Sequence, residues 1–318
     1  MELRVLGPVE LYVGDQVWEV GPPQRRHVLA ALAVDAGRPV TTETLIDRVW
    51  DEAPDGARRA LQVHLSNLRR LLERVSRQEG APAGLARRSG GYLLDLDAAQ
   101  VDLHRFRELV LRARSSTAAD AAPVTLLREA RALWRGEPLA GLTGGWIEHT
   151  RKTWRRLYVD ATVAWAQAEL AAANPGEVIG PLRELADEYP LAESLAATLL
   201  RALHTVGRSA EALEHYATVR EFFAAELGTD PGPELQAVHQ AILRGEPEPP
   251  PVPMTRPAIE VPPVPSQLPA DVPGFAGRAE HLSRLHKLCA KPAEGEPMAV
   301  VISALSGTAG VGKPNQGF

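Results

Sequence analysis

Five apolar side chains, Leu61, Leu65, Leu68, Leu72 and Val75, recur at three- and four-residue intervals. At about 100° per residue they fall within about 40° of one line on a helix. Such a stripe has to be buried against a core, which leaves the opposite face free. That face carries Arg59, Gln62, Val63, Ser66, Arg70 and Glu73. Its neighbourhood is strongly basic. Between Pro54 and Leu94 stand Arg58, Arg59, Arg69, Arg70, Arg74, Arg77, Arg87 and Arg88 against three acids, Asp55, Glu73 and Glu79, in a chain whose formal charge is −5. With no whole-protein field to pull it onto a polyanion, any such binding has to be local.

The segment Arg87-Arg88-Ser89-Gly90-Gly91-Tyr92 reads as strand, tight turn and strand. A basic helix followed by a basic β-ribbon is what a winged helix-turn-helix presents to duplex DNA. In that reading Arg59 and Arg70 suit phosphate or guanine, Gln62 suits adenine, and Val63 suits a thymine methyl. Arg58, Ser66, Asn67 and Arg69 complete the expected DNA-contacting set, with Arg87 and Arg88 of the wing on the backbone or an adjacent minor groove. The plainer alternative is an amphipathic surface helix whose charges are merely solvated.

Short strands are expected at Leu3–Leu6, Val9–Val13 and Val17–Val20, broken at Gly7-Pro8 and Gly14-Asp15. Pro22-Pro23 opens a helix ending near Gly37, and Thr41 or Thr42 caps another with Leu45, Ile46, Val49 and Trp50 as its buried stripe. From residue 101 the pattern is helical throughout, with helices predicted over 102–115, 123–135, 145–173, 176–188, 191–206, 208–227 and 232–244. A weak repeat at a shift of about 34 residues sets Glu177, Ile179, Leu182, Leu185 and Tyr189 against Glu211, Leu213, Tyr216, Val219 and Phe223. Trp134, Trp146, Trp154 and Trp165 are expected to pack between these helices. The fold class that follows is mostly α: an α+β winged helix over 1–97, then an all-α tetratricopeptide-like domain over 98–245. A Pro-rich linker covers 246–274, and 275–318 reads as a truncated P-loop domain fragment.

The order of these stretches resembles the Streptomyces antibiotic regulatory protein family. The resemblance is carried by Leu3-Arg4-Val5-Leu6-Gly7-Pro8-Val9-Glu10, Gln24-Arg25-Arg26 and Leu45-Ile46-Asp47-Arg48-Val49-Trp50, then by the Leu61–Leu72 helix with Gly91-Tyr92. In the helical part Leu133-Trp134-Arg135-Gly136, Gly207–Leu213 and Glu226–Leu235 continue it. It implies an OmpR-type winged helix joined to a bacterial transcriptional activation domain. It further implies binding to promoter direct repeats, recruitment of RNA polymerase, and a homodimer at least on DNA. Larger members continue into a signal-transducing ATPase, whose start Gly274–Glu280 and the glycine loop resemble.

The acidic turn before the basic helix supplies Asp51, Glu52 and Asp55. The ordinary role of such a turn is a solvated cap, for which Asp55 is suited; in OmpR-type proteins the equivalent loop can touch polymerase. The glycine loop Gly307–Lys313 fits G-x-x-x-x-G-K, so Gly307, Gly312 and Lys313 are the nucleotide-binding candidates. Pro314 stands where a Ser or Thr would ligate Mg²⁺ and the sequence stops at Phe318, so nucleotide hydrolysis is not expected. One cysteine, Cys289, excludes an intrachain disulfide. No apolar run approaches the ~20 residues of a membrane span. The expectation is a cytoplasmic activator without catalytic residues, metal or cofactor. Two rivals stand beside it: a nucleotide-driven switch and a helical-repeat protein scaffold.

Overall fold

The computed structural model describes residues 1–79, 83–115 and 122–245. The linker and the glycine loop, with Gly307, Gly312 and Lys313, lie outside the described residues.

Three short strands, β1 (Glu2–Arg4), β2 (Glu10–Val13) and β3 (Gln16–Trp18), form an antiparallel meander in that order. The first strand is shorter than expected because Val5 and Leu6 give their N–H groups to the Asp102 carboxylate, at 2.9 and 3.0 Å, instead of to a ladder. Helix α1 (Pro23–Ala33) follows Pro22, whose extended backbone is what a following proline imposes, and Pro23 takes the first helical position, where its missing N–H costs nothing. It ends four residues before Gly37, and a strand the sequence pattern did not show, β4 (Pro39–Val40), follows. Thr41 caps α2 (Thr42–Val49), its hydroxyl accepting the Thr44 N–H at 3.1 Å.

Helix α3 (Ala57–Glu79) is entered through Gly56, at φ +82°, whose carbonyl takes the Arg59 and Ala60 N–H groups. The expected stripe is its buried side: Leu61, Leu65, Leu68, Leu72 and Val75 are all within 2% exposure. Burying each side chain of this kind is worth about 1.5–3 kcal/mol against leaving it in water. The wing follows as β5 (Gly84–Arg88) and β6 (Gly91–Asp95), paired so that Arg88 opposes Gly91 across a Ser89-Gly90 turn. β6 also pairs with β4, giving the sheet order β4-β6-β5.

Beyond a single 3₁₀ turn at Ala98–Gln100, the described residues are helical: α4 (Asp102–Ser115), α5 (Ala122–Ala132), α6 (Gly145–Ala171), α7 (Pro175–Glu188), α8 (Glu193–Thr205), α9 (Ser209–Leu227) and α10 (Pro233–Arg244). Helix α8 packs against α7, α9 and α10, and the two runs related by the 34-residue shift are α7 and α9. Ile179, Leu182 and Leu185 of the first and Tyr216, Val219 and Phe223 of the second are buried against the same core. Trp154 and Trp165 are buried and Trp134 and Trp146 half-buried, as core packing requires; the Trp165 indole N–H donates to the buried Glu169 at 2.8 Å.

The sheet of β1–β3 is stitched to the helical part. Leu6, Val5 and Gly7 carbonyls accept the N–H groups of Arg135, Leu139 and Ala140 at 2.9, 3.0 and 3.1 Å. One hydrophobic core runs through both parts.

Candidate nucleic-acid interface

α3 is fixed from three sides. Its apolar stripe sits on α1 and α2, and its flank meets β5. The face opposite the stripe is left open: Arg59, Gln62, Val63, Ser66, Arg70 and Glu73 are all exposed, Val63 to 55%. An apolar side chain held that far into solvent beside Arg and Gln is what apolar contact with a thymine methyl needs. Arg87 and Arg88 are exposed at the tip of the wing, on the strand that follows the same helix.

Two of the expected contact residues, Arg69 and Asn67, are placed otherwise than the pattern implied. Arg69 is half-buried and its Nε donates to the Leu85 carbonyl at 3.0 Å, so it ties α3 to the wing's first strand instead of lying on the open face. The reason is angular: residue 69 lies beside the stripe, and β5 packs on that side. Asn67 is half-buried at the edge of a cleft. Arg58 is exposed at the start of α3, where its guanidinium pairs with Glu43 of α2 at 2.7 Å; both side chains are about two-thirds exposed (66% and 65%). A pair that open is worth only ~0–1 kcal/mol, so Arg58 is readily exchanged to another anion.

The acidic turn also divides. Asp51, Glu52 and Asp55 are all exposed, but only Asp51 has a partner in the helical part. Asp51 spends a carboxylate oxygen on the Gly145 N–H at 2.7 Å, at the first turn of α6, where a negative charge is favoured by the helix dipole. It is therefore a tether between the two halves of the chain. Nearby, His27 of α1 stacks on Trp146 with ring centroids 5.7 Å apart, and the Arg48 guanidinium lies 5.5 Å from the same ring.

Sequence reasoning left three basic residues unassigned. Arg25 of α1 stands beside Arg74 and Arg77 of α3, around the cleft that Asn67 and Arg70 also line. The spacing of Arg70, Arg74 and Arg77, four and then three residues, places them on one strip of the helix and was available as a signal. Arg25 gave none, because it is brought there by tertiary packing. His64 of α3, half-buried, has its pKa lowered by burial and then by the Arg25 charge. Among the described residues no group of three or more His, Cys, Asp or Glu could hold a metal ion, and no helix is long and apolar enough to cross a membrane.

Comparison with known proteins finds transcriptional regulators. The model of the transcriptional regulatory protein C-terminal domain matches residues 20–94, and that of the bacterial transcriptional activator domain matches residues 101–243. The chain is 33% identical to the transcriptional regulator RedD of Streptomyces coelicolor, over 78% of this chain and 71% of RedD. It is 35% identical to the regulatory protein AfsR of Streptomyces griseus over 98% of its own length, but spans only 31% of AfsR. The structure of Mycobacterium tuberculosis EmbR, solved in complex with a low-affinity phosphopeptide, superposes with a TM-score of 0.71 at 32% identity, covering 78% of this chain and 66% of that one.

Proposed function

The chain belongs to the Streptomyces antibiotic regulatory protein family, and on that footing we propose that it is a sequence-specific DNA-binding transcriptional activator of an antibiotic biosynthetic gene cluster. The observation that carries the reading is the open face of α3: Arg59, Gln62, Val63, Ser66 and Arg70 are exposed opposite a fully buried stripe, with the Arg87-Arg88 wing following. The face reads base edges in the major groove, and the wing contacts the backbone beside it. Two copies on a promoter direct repeat recruit RNA polymerase, with Glu52 and Asp55 as the polymerase-facing carboxylates and Asp51 as their internal anchor. Such work takes place on the chromosome, in the cytoplasm, and calls for no catalytic residue or cofactor.

The test is competition. The 318-residue chain bound to a labelled duplex from a neighbouring promoter is challenged with unlabelled promoter or random duplex. The expected result is displacement by promoter DNA at concentrations on the order of 10³-fold lower than by random DNA. Equal displacement by both removes the reading and leaves the protein-scaffold alternative.

A further inference from the structure

The C-terminal half of α3 borders a second basic feature, which shares only Arg70 and Glu73 with the open face. A cleft of about 400 Å³ opens between β3, the start of α1 and α3. Arg25 reaches it from α1, and Arg70, Arg74 and Arg77 from α3, with the Asn67 amide beside them. Two carboxylates, Glu19 and Glu73, also line it, so four cations face two anions.

Among the described residues none of the four guanidinium groups pairs with a carboxylate. Arg25 gives Nη1 to the Val20 carbonyl at 3.2 Å, while its Nε is buried with no hydrogen-bond partner among the described residues. Arg77 donates Nε to the Glu73 carbonyl oxygen at 3.1 Å, and Arg74 lies 6.0 Å from the Trp18 ring. A buried donor without an acceptor is unfavourable, and an anion that reaches it relieves that penalty. Planar guanidiniums converging on one cleft suit the oxygens of a phosphate better than a carboxylate held at a distance.

With α3 directed across the groove, its geometry says which phosphate. At 1.5 Å per residue, Arg70 lies ~12 Å and Arg74 ~18 Å along the axis from Gln62, against a major groove about 12 Å wide. With Gln62 at the base edges, Arg70 is at the groove's rim. Arg74 and the neighbouring Arg25 then lie over the flanking sugar–phosphate strand.

We propose that this cleft is a phosphodiester clamp, in which Arg25 and Arg74, flanked by Asn67 and Arg70, grip the backbone beside the bases read by the N-terminal half of α3. It rests on the DNA-binding reading above and adds a set of backbone grips that fixes affinity and register while carrying no sequence information. Glu19 and Glu73 hold that affinity down.

The experiment uses the whole chain, a promoter duplex and a random duplex, with binding followed by fluorescence anisotropy between about 50 and 200 mM salt. Arg25→Gln and Arg74→Gln are each expected to weaken both duplexes by the same factor and to reduce the slope of log K against log salt by ~0.9 for each phosphate no longer neutralised. Glu73→Gln is expected to tighten both duplexes. A single methylphosphonate at the flanking linkage should flatten the wild-type slope equally and add nothing to Arg74→Gln. Arg74 is exposed, so its variant reports even where Arg25→Gln perturbs the fold. Wild-type slopes in both variants overturn the clamp while promoter preference still upholds the functional reading. Loss of promoter preference in the wild type sinks that reading and the clamp with it. If inorganic phosphate at constant ionic strength raises the wild-type melting temperature but not that of Arg74→Gln, and DNA slopes stay unchanged, the cleft serves a free phosphate and the backbone assignment is overturned.

Discussion

Asp102 is 1% exposed and touches no part of the open α3 face, yet much of the N-terminal sheet's position rests on it. Its carboxylate accepts the N–H groups of Val5 (2.9 Å), Leu6 (3.0 Å) and Leu103 (2.8 Å), and the Arg135 guanidinium at 2.8 Å. Burial pushes its pKa up, and the backbone donors and Arg135 pull it back. Asp102→Ala leaves the Val5 and Leu6 amides and a guanidinium without their acceptor, so a loss of about 3–5 kcal/mol in urea unfolding at pH 7 is expected. Asp102→Asn keeps one acceptor oxygen and should lose less. A loss for the Ala variant as small as that of a surface substitution, within ~0.5 kcal/mol, would mean that water takes over the carboxylate's bonds. His27 makes a pH prediction at the same scale. It is 6% exposed, stacked on Trp146, and its Nε2 has no partner among the described residues. Burial lowers its pKa below the ordinary 6.5, although the Arg48 backbone and Asp51 act the other way. The unfolded chain therefore takes up a proton before the folded one does. The stability that neutral His27 contributes is present above pH 6.5 and is lost as pH falls through that value and on to the lowered folded one. Unfolding free energy should fall more steeply between about pH 7.5 and 5.5 in the wild type than in His27→Gln, by up to about one proton in the linkage slope. Parallel pH profiles would show that His27 is not held neutral. Neither residue could be found from the sequence: Asp102 meets Val5 across 97 positions, and no local period marks such a pair.

At the level of elements, the wing is the part most tightly specified by backbone alone. Gly91 has φ +135°, and a Cβ there would stand 2.0 Å from the Val40 carbonyl oxygen. Gly91→Ala therefore cannot keep β6 closed on β4. Backbone strain alone costs about 1–3 kcal/mol, and the displaced wing should carry Arg87 and Arg88 away from the DNA. The check is a urea melt together with the salt slope of duplex binding; a destabilised variant with an unchanged slope would take the wing arginines out of the interface. The hairpin was legible because Ser89-Gly90-Gly91 is turn chemistry between two basic and apolar runs. So was the α3 stripe, whose five residues are all buried, and so were the helices after residue 101, which Pro and Gly punctuate. β4 was not legible: two residues, Pro39-Val40, have no period, and only β6 makes them a strand. Arg69 and Asp51 escaped for a related reason. Each lies at the border of a face, and what decides its partner is the neighbouring element, β5 for one and the start of α6 for the other.

Across residues 1–245, two seams join the winged-helix half to the helical half. One runs from Val5, Leu6 and Gly7 to Asp102, Arg135, Leu139 and Ala140. The other runs from His27, Arg48 and Asp51 to Gly145 and Trp146. The second seam lies immediately before α3 in the chain, through the turn that holds Asp51 and Gly56. With one hydrophobic core continuous through both halves, local opening of either exposes buried backbone groups of the other, so the two should unfold together. Anything that binds the folded winged helix alone then stabilises the helical half by mass action. Promoter duplex at about 100 times its Kd is worth about 2.7 kcal/mol. Single-tryptophan variants keeping Trp18 in the first half or Trp165 in the second should report the same urea midpoint, and the same upward shift when duplex is added. Hydrogen exchange at the Leu139 and Ala140 amides, bonded to Val5 and Gly7 at 3.0 and 3.1 Å, should slow by the matching factor. Separate midpoints, or a shift confined to the Trp18 signal, would mean that the seams transmit nothing and that DNA binding is invisible to the helices beyond residue 101.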